Sequence, residues 1–309
     1  MIGIKAIGTY LPVGRVSNLA RLETFGLTEE SLNERIGFRQ VAVKGSEETT
    51  LSLAVSAFRD LQDKTGLDPA TVEVVAVITQ NPDRNIPHMS AELHGKLSLV
   101  PGCACFDISL GCSGYVYGLS LLSAFMSANG MRRGVLVTAD PYSGIVDPAD
   151  KNTSLIFGDG ATATLLTEDP VYVPGAYNFG TMGSEAENLA CNDGKLFMNG
   201  RAVFNFAAKH VPTDVNALLQ KNGLTLEEVD CFVLHQGSRY IVDTIADRLG
   251  VPHDKAKFYA ADYGNTVSSS IPIILAEEMN KPSNHSILLS GFGLGFSWAS
   301  TVLKRMENN

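Results

Sequence analysis

A weak internal repeat constrains this chain more than any other feature of its sequence. The first copy runs Val72–Thr79 (VEVVAVIT), then Phe106–Leu122 (FDISLGCSGYVYGLSLL), then Gly134–Asp140 (GVLVTAD). The second runs Val229–Gln236 (VDCFVLHQ), then Tyr259–Leu275 (YAADYGNTVSSSIPIIL), then Ser286–Gly291 (SILLSG). Gly111-Cys112 and Gly264-Asn265 occupy equivalent places 153 residues apart, and Leu136 and Leu288 are 152 apart, so the offset barely drifts. Each copy reads strand, helix, strand. A duplicated unit of this kind can bury its two central helices between two sheets, which predicts a layered α/β protein. Chance likeness between α/β segments is the competing reading.

The rest of the chain agrees with an α/β class. Short branched runs alternate with helical stretches, and no Pro/Ser-rich linker separates them. Leu51–Thr65 is an amphipathic helix: Thr49 or Thr50 can cap it, Leu51, Ala54, Phe58 and Leu61 share a face, and Gly66 stops it. Val72–Thr79 follows as a central strand. The net charge of -9 argues against a non-specific nucleic-acid surface, because phosphate binding needs clustered Lys and Arg. The first residues lack the pattern of a signal peptide, and no run of about 18 apolar residues could span a membrane. A cytoplasmic location is expected. Five cysteines in 309 residues do not suggest a disulfide framework. Cys103 and Cys105 lie two apart in an apolar stretch and read as structural thiols. No second pair completes a metal site.

Three residues stand where chemistry could occur. Cys112 follows a strand and precedes a nearly uncharged helix ending at Asn129-Gly130, which should be buried almost all round. The N–H groups at such a helix start favour a thiolate and should lower the thiol pKa. Gly111 and Gly114 leave room for a substrate. His235 ends the apolar strand Val229–Leu234, and open α/β sheets place ligands at such carboxyl ends. Asn265 is the repeat-equivalent of Cys112, so pseudo-symmetry would bring the two helix starts together with His235 beside them. Taken singly, each has a bland reading: a buried structural thiol, a hydrogen-bonded histidine, a Gly-Asn turn. The segment Ser290-Gly-Phe-Gly-Leu-Gly-Phe-Ser-Trp298 has the wrong spacing for a dinucleotide fingerprint. Its backbone N–H groups could instead hold an oxyanion.

With these segments in place, the chain resembles the β-ketoacyl-(acyl carrier protein) synthase III family of the thiolase superfamily. The likeness rests on Asp107-Ile-Ser-Leu-Gly-Cys112-Ser-Gly, Ile156-Phe-Gly-Asp-Gly-Ala161, His235-Gln-Gly-Ser, Gly264-Asn265-Thr and Gly291-Phe-Gly-Leu-Gly-Phe-Ser-Trp298. It implies a thiolase fold of duplicated α-β-α-β-α layers. Residues 1–168 would form the half with the nucleophilic Cys, and residues 169–309 the half with the His and Asn. It also implies a homodimer, with Cys112, His235 and Asn265 as the catalytic set. The backbone amides of Cys112 and Leu294 would form the oxyanion hole. Arg35, Lys151 and Arg239 would bind the donor or carrier, and Phe157 and Ile86 would line the acyl pocket, the latter in the partner subunit. Acyl-CoA, acyl carrier protein and a malonyl thioester would be substrates, with no cofactor and no metal.

The implied reaction is acylation of Cys112 followed by decarboxylative condensation with a malonyl thioester, in fatty-acid or specialised acyl-chain synthesis. The alternative is transfer of the Cys-bound acyl group to a hydroxyl or amine, with His235 as base. An inactive partner subunit is a third reading, opposed by the presence of all three residues. The chain also departs from the family. Leu294 replaces the middle of three glycines, Ser31 stands where a Trp stacks on adenine, and Tyr240 and Asn205 replace an Arg and a Lys of the donor mouth.

Overall fold

The computed structural model describes residues 1–307. The largest sheet among them has nine strands: β1 (Gly3–Tyr10), β2 (Val74–Ile78), β3 (Ala104–Ile108), β4 (Arg133–Ala139), β5 (Ala161–Thr167), β6 (Tyr172–Thr181), β7 (Cys231–Leu234), β8 (Ser286–Gly293) and β9 (Ser297–Arg305). Their order across the sheet is β7-β8-β9-β6-β1-β5-β4-β2-β3. The join between β1 and β6 rests on one paired position, Ile4 with Tyr172, so the sheet divides there into two halves.

Each half repeats one topology, as the sequence repeat predicts. In the first, β2 runs parallel to β4, and β5 and β1 follow antiparallel. In the second, β7 runs parallel to β8, and β9 and β6 follow antiparallel. The main helices are α1 (Thr50–Thr65), α2 (Met89–Leu97), α3 (Gly114–Ala128), α4 (Gly200–Asn222), α5 (Arg239–Leu249) and α6 (Ser270–Glu278).

Side-chain alternation along the strands sets the layers. Val74, Ala76 and Ile78 of β2, with Cys231 and Val233 of β7, face a central core filled by α3 and α6. Val75 and Val77 face the opposite way, toward Leu53, Ala57, Phe58 and Leu61 of α1. Phe232 and Leu234 likewise face Val211, Val215 and Leu218 of α4. The result is helix, sheet, helix, sheet, helix.

Helix α1 keeps its expected ends. Thr49 and Ser52 exchange capping-box hydrogen bonds, and Gly66 closes the helix at φ 67°. Leu51 is only partly buried, and Leu53 and Ala57 take the core positions beside Ala54, Phe58 and Leu61. Helix α3 is less enclosed than its composition predicts. Its first turns are buried, yet Leu121 is 49% exposed.

Candidate active site

Cys112 lies in the turn between β3 and α3, two residues before the first helical residue, and is almost fully buried. Its enclosure comes from the far end of the chain. A Cβ added at Gly293 would lie 2.8 Å from the Cys112 Cβ and 2.9 Å from its Sγ. Gly293 also has φ 154° and ψ −115°, a conformation that side-chain-bearing residues do not hold. The turn after it directs the Leu294 N–H at the thiol, and the N–H of Cys112 itself also favours the thiolate. These amides do not prevail. Burial pushes the thiol up to about 12, against the lowered value expected from the helix start. Loss of hydration around an enclosed sulfur outweighs two amide dipoles.

His235 directly follows β7, and its N–H donates to the Ser290 carbonyl of β8 at 2.9 Å. Its ring meets the Phe292 ring edge-on, 5.6 Å between centroids, and Nδ1 is buried without a hydrogen-bond partner among the described residues. Burial lowers its pKa to about 3, so the imidazole is neutral near pH 7. Cys112 and His235 therefore rest as thiol and neutral imidazole, not as an ion pair.

Asn265 is fixed through both its backbone and its side chain. Its N–H donates to the Ile156 carbonyl and its own carbonyl accepts from the Gly158 N–H. The side-chain Oδ1 accepts from the Val267 N–H at 2.9 Å and the Ser270 hydroxyl at 3.3 Å. Those bonds determine which way the amide faces, and Nδ2 bonds none of the described residues. Val267 holds φ 54°, costly for a β-branched residue, so the turn that orients Asn265 stores strain.

His235, Asn265, Phe292 and Gly293 together line a mainly apolar cavity of about 220 Å³, at whose mouth stand Arg35 and Tyr240. Cys112 abuts this cavity through Gly293. A second cavity, about 500 Å³, is lined by Leu294, Gly111, Tyr142 and Gln80. The turn Gly293-Leu294 separates the two. Cys112, His235 and Asn265 are thus brought together as the repeat implies.

The peripheral expectations fare differently. Of the three donor-binding residues only Arg35 lines the cavity. Arg239 lies over the Phe258 ring, 4.8 Å from its centroid, and Lys151 is exposed at the start of a short helix away from both cavities. Neither Arg239 nor Lys151 lines a cavity, and a cation–π contact holds the Arg239 guanidinium on Phe258. Phe157 is buried against Tyr142, centroids 5.1 Å apart, and lines neither cavity; Ile86 is 87% exposed on its own protomer.

Two residues near the thiol escaped the sequence reading. Asp140, fully buried, accepts from the Thr79 hydroxyl, the Gln80 N–H and the Ser268 hydroxyl, and burial raises its pKa. Tyr142 is 1% exposed and donates to Gln80 Oε1 at 3.2 Å. Their only sequence signal was position, at the carboxyl end of a strand.

Residues 106–183 match the family described as 3-oxoacyl-(acyl-carrier-protein) synthase III, and residues 219–305 match its C-terminal part. A β-ketoacyl-(acyl-carrier-protein) synthase III of Lactococcus lactis subsp. lactis is 30% identical, over 97% of this chain and 98% of its own. The chain belongs to the β-ketoacyl-(acyl carrier protein) synthase III family. A crystal structure of a 3-oxoacyl-(acyl-carrier-protein) synthase III superposes with TM-score 0.91 at 32% identity, covering 98% of this chain and 99% of that one. The enzyme from Aquifex aeolicus gives 0.91 at 29% identity, covering 98% and 100%. A priming β-ketosynthase of a polyketide pathway gives 0.89 at 28%, covering 100% and 97%. The chain is thus a thiolase-fold transferase of the condensing type, and family membership favours condensation over simple acyl transfer. Among the described residues no helix is long and apolar enough to cross a membrane.

Proposed function

We propose that Cys112 carries the acyl group, that the backbone amides of Cys112 and Leu294 form the oxyanion hole, and that His235 and Asn265 bind the enolate. In the first step the Cys112 sulfur attacks an acyl thioester carbonyl, and its proton leaves with the released carrier thiol. A malonyl thioester then loses carbon dioxide, and the resulting carbanion forms a carbon–carbon bond with the acyl carbonyl, freeing Cys112. Negative charge passes through the donor's thioester oxygen. A neutral imidazole and a carboxamide can both donate to that oxygen, with no fixed negative charge of their own to oppose it.

This reading is supported above all by the convergence of His235 and Asn265 on one cavity whose wall, Gly293, touches the Cys112 sulfur. The substrates are an acyl thioester and a malonyl group, the latter on acyl carrier protein. The division into 1–168 and 169–309 falls in the connection from β5 to β6 and assigns β1 and β6, where the sheet divides, to different halves; the cytoplasm is the location. A homodimer is supported by the open edge strand β3 and by the half-exposed apolar side chains Leu121 and Phe179. In such a pair the exposed Ile86 would reach the partner's acyl cavity, while Arg35, Lys151 and Arg239 would meet the donor or carrier.

Intact-mass measurement after incubation with acyl thioesters tests the first step. One acyl increment is expected, absent from Cys112→Ser and retained in Cys191→Ser; the reverse pattern overturns the assignment.

A further inference from the structure

The cavity beyond Leu294 is not a plain hydrocarbon slot. Leu189, Leu196 and Ile145 supply an apolar wall, but the wall nearest Cys112 is polar. There the Tyr142 hydroxyl donates to Gln80 Oε1 at 3.2 Å. The Tyr142 ring and the Gln80 backbone are both anchored. Tyr142 is packed on Phe157, and the Gln80 backbone N–H donates to buried Asp140 at 2.8 Å. It is also close to the reacting sulfur: a Cβ on Gly111, the residue before Cys112, would lie 2.7 Å from Gln80 Oε1 and 2.7 Å from Leu294 Cδ1. With Oε1 occupied, the Gln80 amide nitrogen makes no hydrogen bond to the described residues, so it can donate. The Tyr142 oxygen keeps a lone pair that can accept.

We propose that Tyr142 and Gln80 are specificity-determining residues that select an acyl group bearing a hydroxyl or carbonyl oxygen within a few bonds of the thioester. The inference rests on Cys112 being the acylated residue. A hydrocarbon chain beside this pair strips water from the Gln80 amide and returns no hydrogen bond, whereas an oxygen substituent replaces that water. Leu294 strengthens the selection, because its side chain fills space that a glycine would leave to solvent.

The test compares butyryl, 3-hydroxybutyryl and 4-hydroxybutyryl pantetheine thioesters, equal in carbon count and free of the nucleotide. The readout is the rate of Cys112 acylation by intact mass. At least one hydroxylated thioester is expected to react about tenfold faster than butyryl, a ratio matching one hydrogen bond gained at a site otherwise left unpaired. Tyr142→Phe and Gln80→Leu should each reduce that ratio below about threefold, and the exposed Gln80 makes the second variant safe for folding. Equal or faster reaction with butyryl in the unaltered protein overturns the proposal. So does a ratio that survives in both variants. Absence of acylation by all three acyl groups, and by longer ones, on pantetheine and on acyl carrier protein alike would instead overturn the role of Cys112.

Discussion

At the residue scale the decisive balance is at Cys112, where two amides oppose a complete loss of hydration and lose. With the thiol pushed up to about 12, its reactive fraction should rise about tenfold per pH unit through the alkaline range. Iodoacetamide labelling of Cys112, followed by peptide mass spectrometry from pH 7 to 10, should therefore climb without levelling. A plateau below pH 8 would restore the lowered value expected from the helix start. The structure opposes that expectation for a physical reason: enclosure of the sulfur depends on Gly293, distant in the chain, and the sequence shows only that glycines occur there. Asn265 was legible through the repeat alone, since Gly-Asn by itself is an ordinary turn. Removing its amide with Asn265→Ala should leave acylation intact and slow carbon dioxide release from malonyl thioester about 100- to 1000-fold. Asn265→Asp should be no better, because a carboxylate accepts the Val267 N–H equally well yet repels the enolate. Full decarboxylation in either variant removes the proposed role.

At the element scale, what could be read was local and what could not was long-range. Helix α1 and strand β2 announced themselves through a cap, a stop and an apolar pattern confined to a few turns. The placement of β1 could not be read in this way. Its neighbours β5 and β6 lie about half the chain length away, and nothing in the run Gly3–Tyr10 names them. The structure does explain one residue of that strand. A Cβ on Gly8 would meet the Ala57 carbonyl oxygen and the Leu61 nitrogen of α1, both at 2.3 Å, so helix and sheet touch backbone to backbone. Gly8→Ala must push α1 outward and should cost about 1–3 kcal/mol or more, read as a lower urea midpoint. Gly183→Ala, where an added Cβ meets nothing within 4 Å, is the matched control and should leave the midpoint unchanged. Equal midpoints for both variants would show that α1 is not seated as described.

At the scale of the whole molecule, the proposed catalytic residues are all present while the approach to them departs from the family pattern, and the two should be separable by experiment. The departures seen in sequence acquire weight from the surroundings. Ser31 offers no ring to an adenine, and Tyr240 stacks on Phe204, 5.0 Å between centroids, where the family has a cation. The two arginines that could compensate are engaged: Arg39 is paired with Asp262, and Arg239 lies on Phe258. Arg35 remains at the mouth. Coenzyme A concentrates its recognition in one adenine and a few phosphates, so losing a stack and two charges falls on it directly. A carrier protein spreads its contacts over a wider face and loses a smaller share. Carrier-bound acyl groups should therefore have kcat/KM roughly tenfold or more above the same acyl group on coenzyme A, consistent with about 1 kcal/mol for the lost stacking and a further amount for the charges. Acetyl-CoA should be a poor primer. Comparing acetyl-CoA with octanoyl-CoA and with both acyl groups on carrier protein separates chain preference from carrier preference. If acetyl-CoA is the best of the four, the altered mouth has no bearing on donor choice.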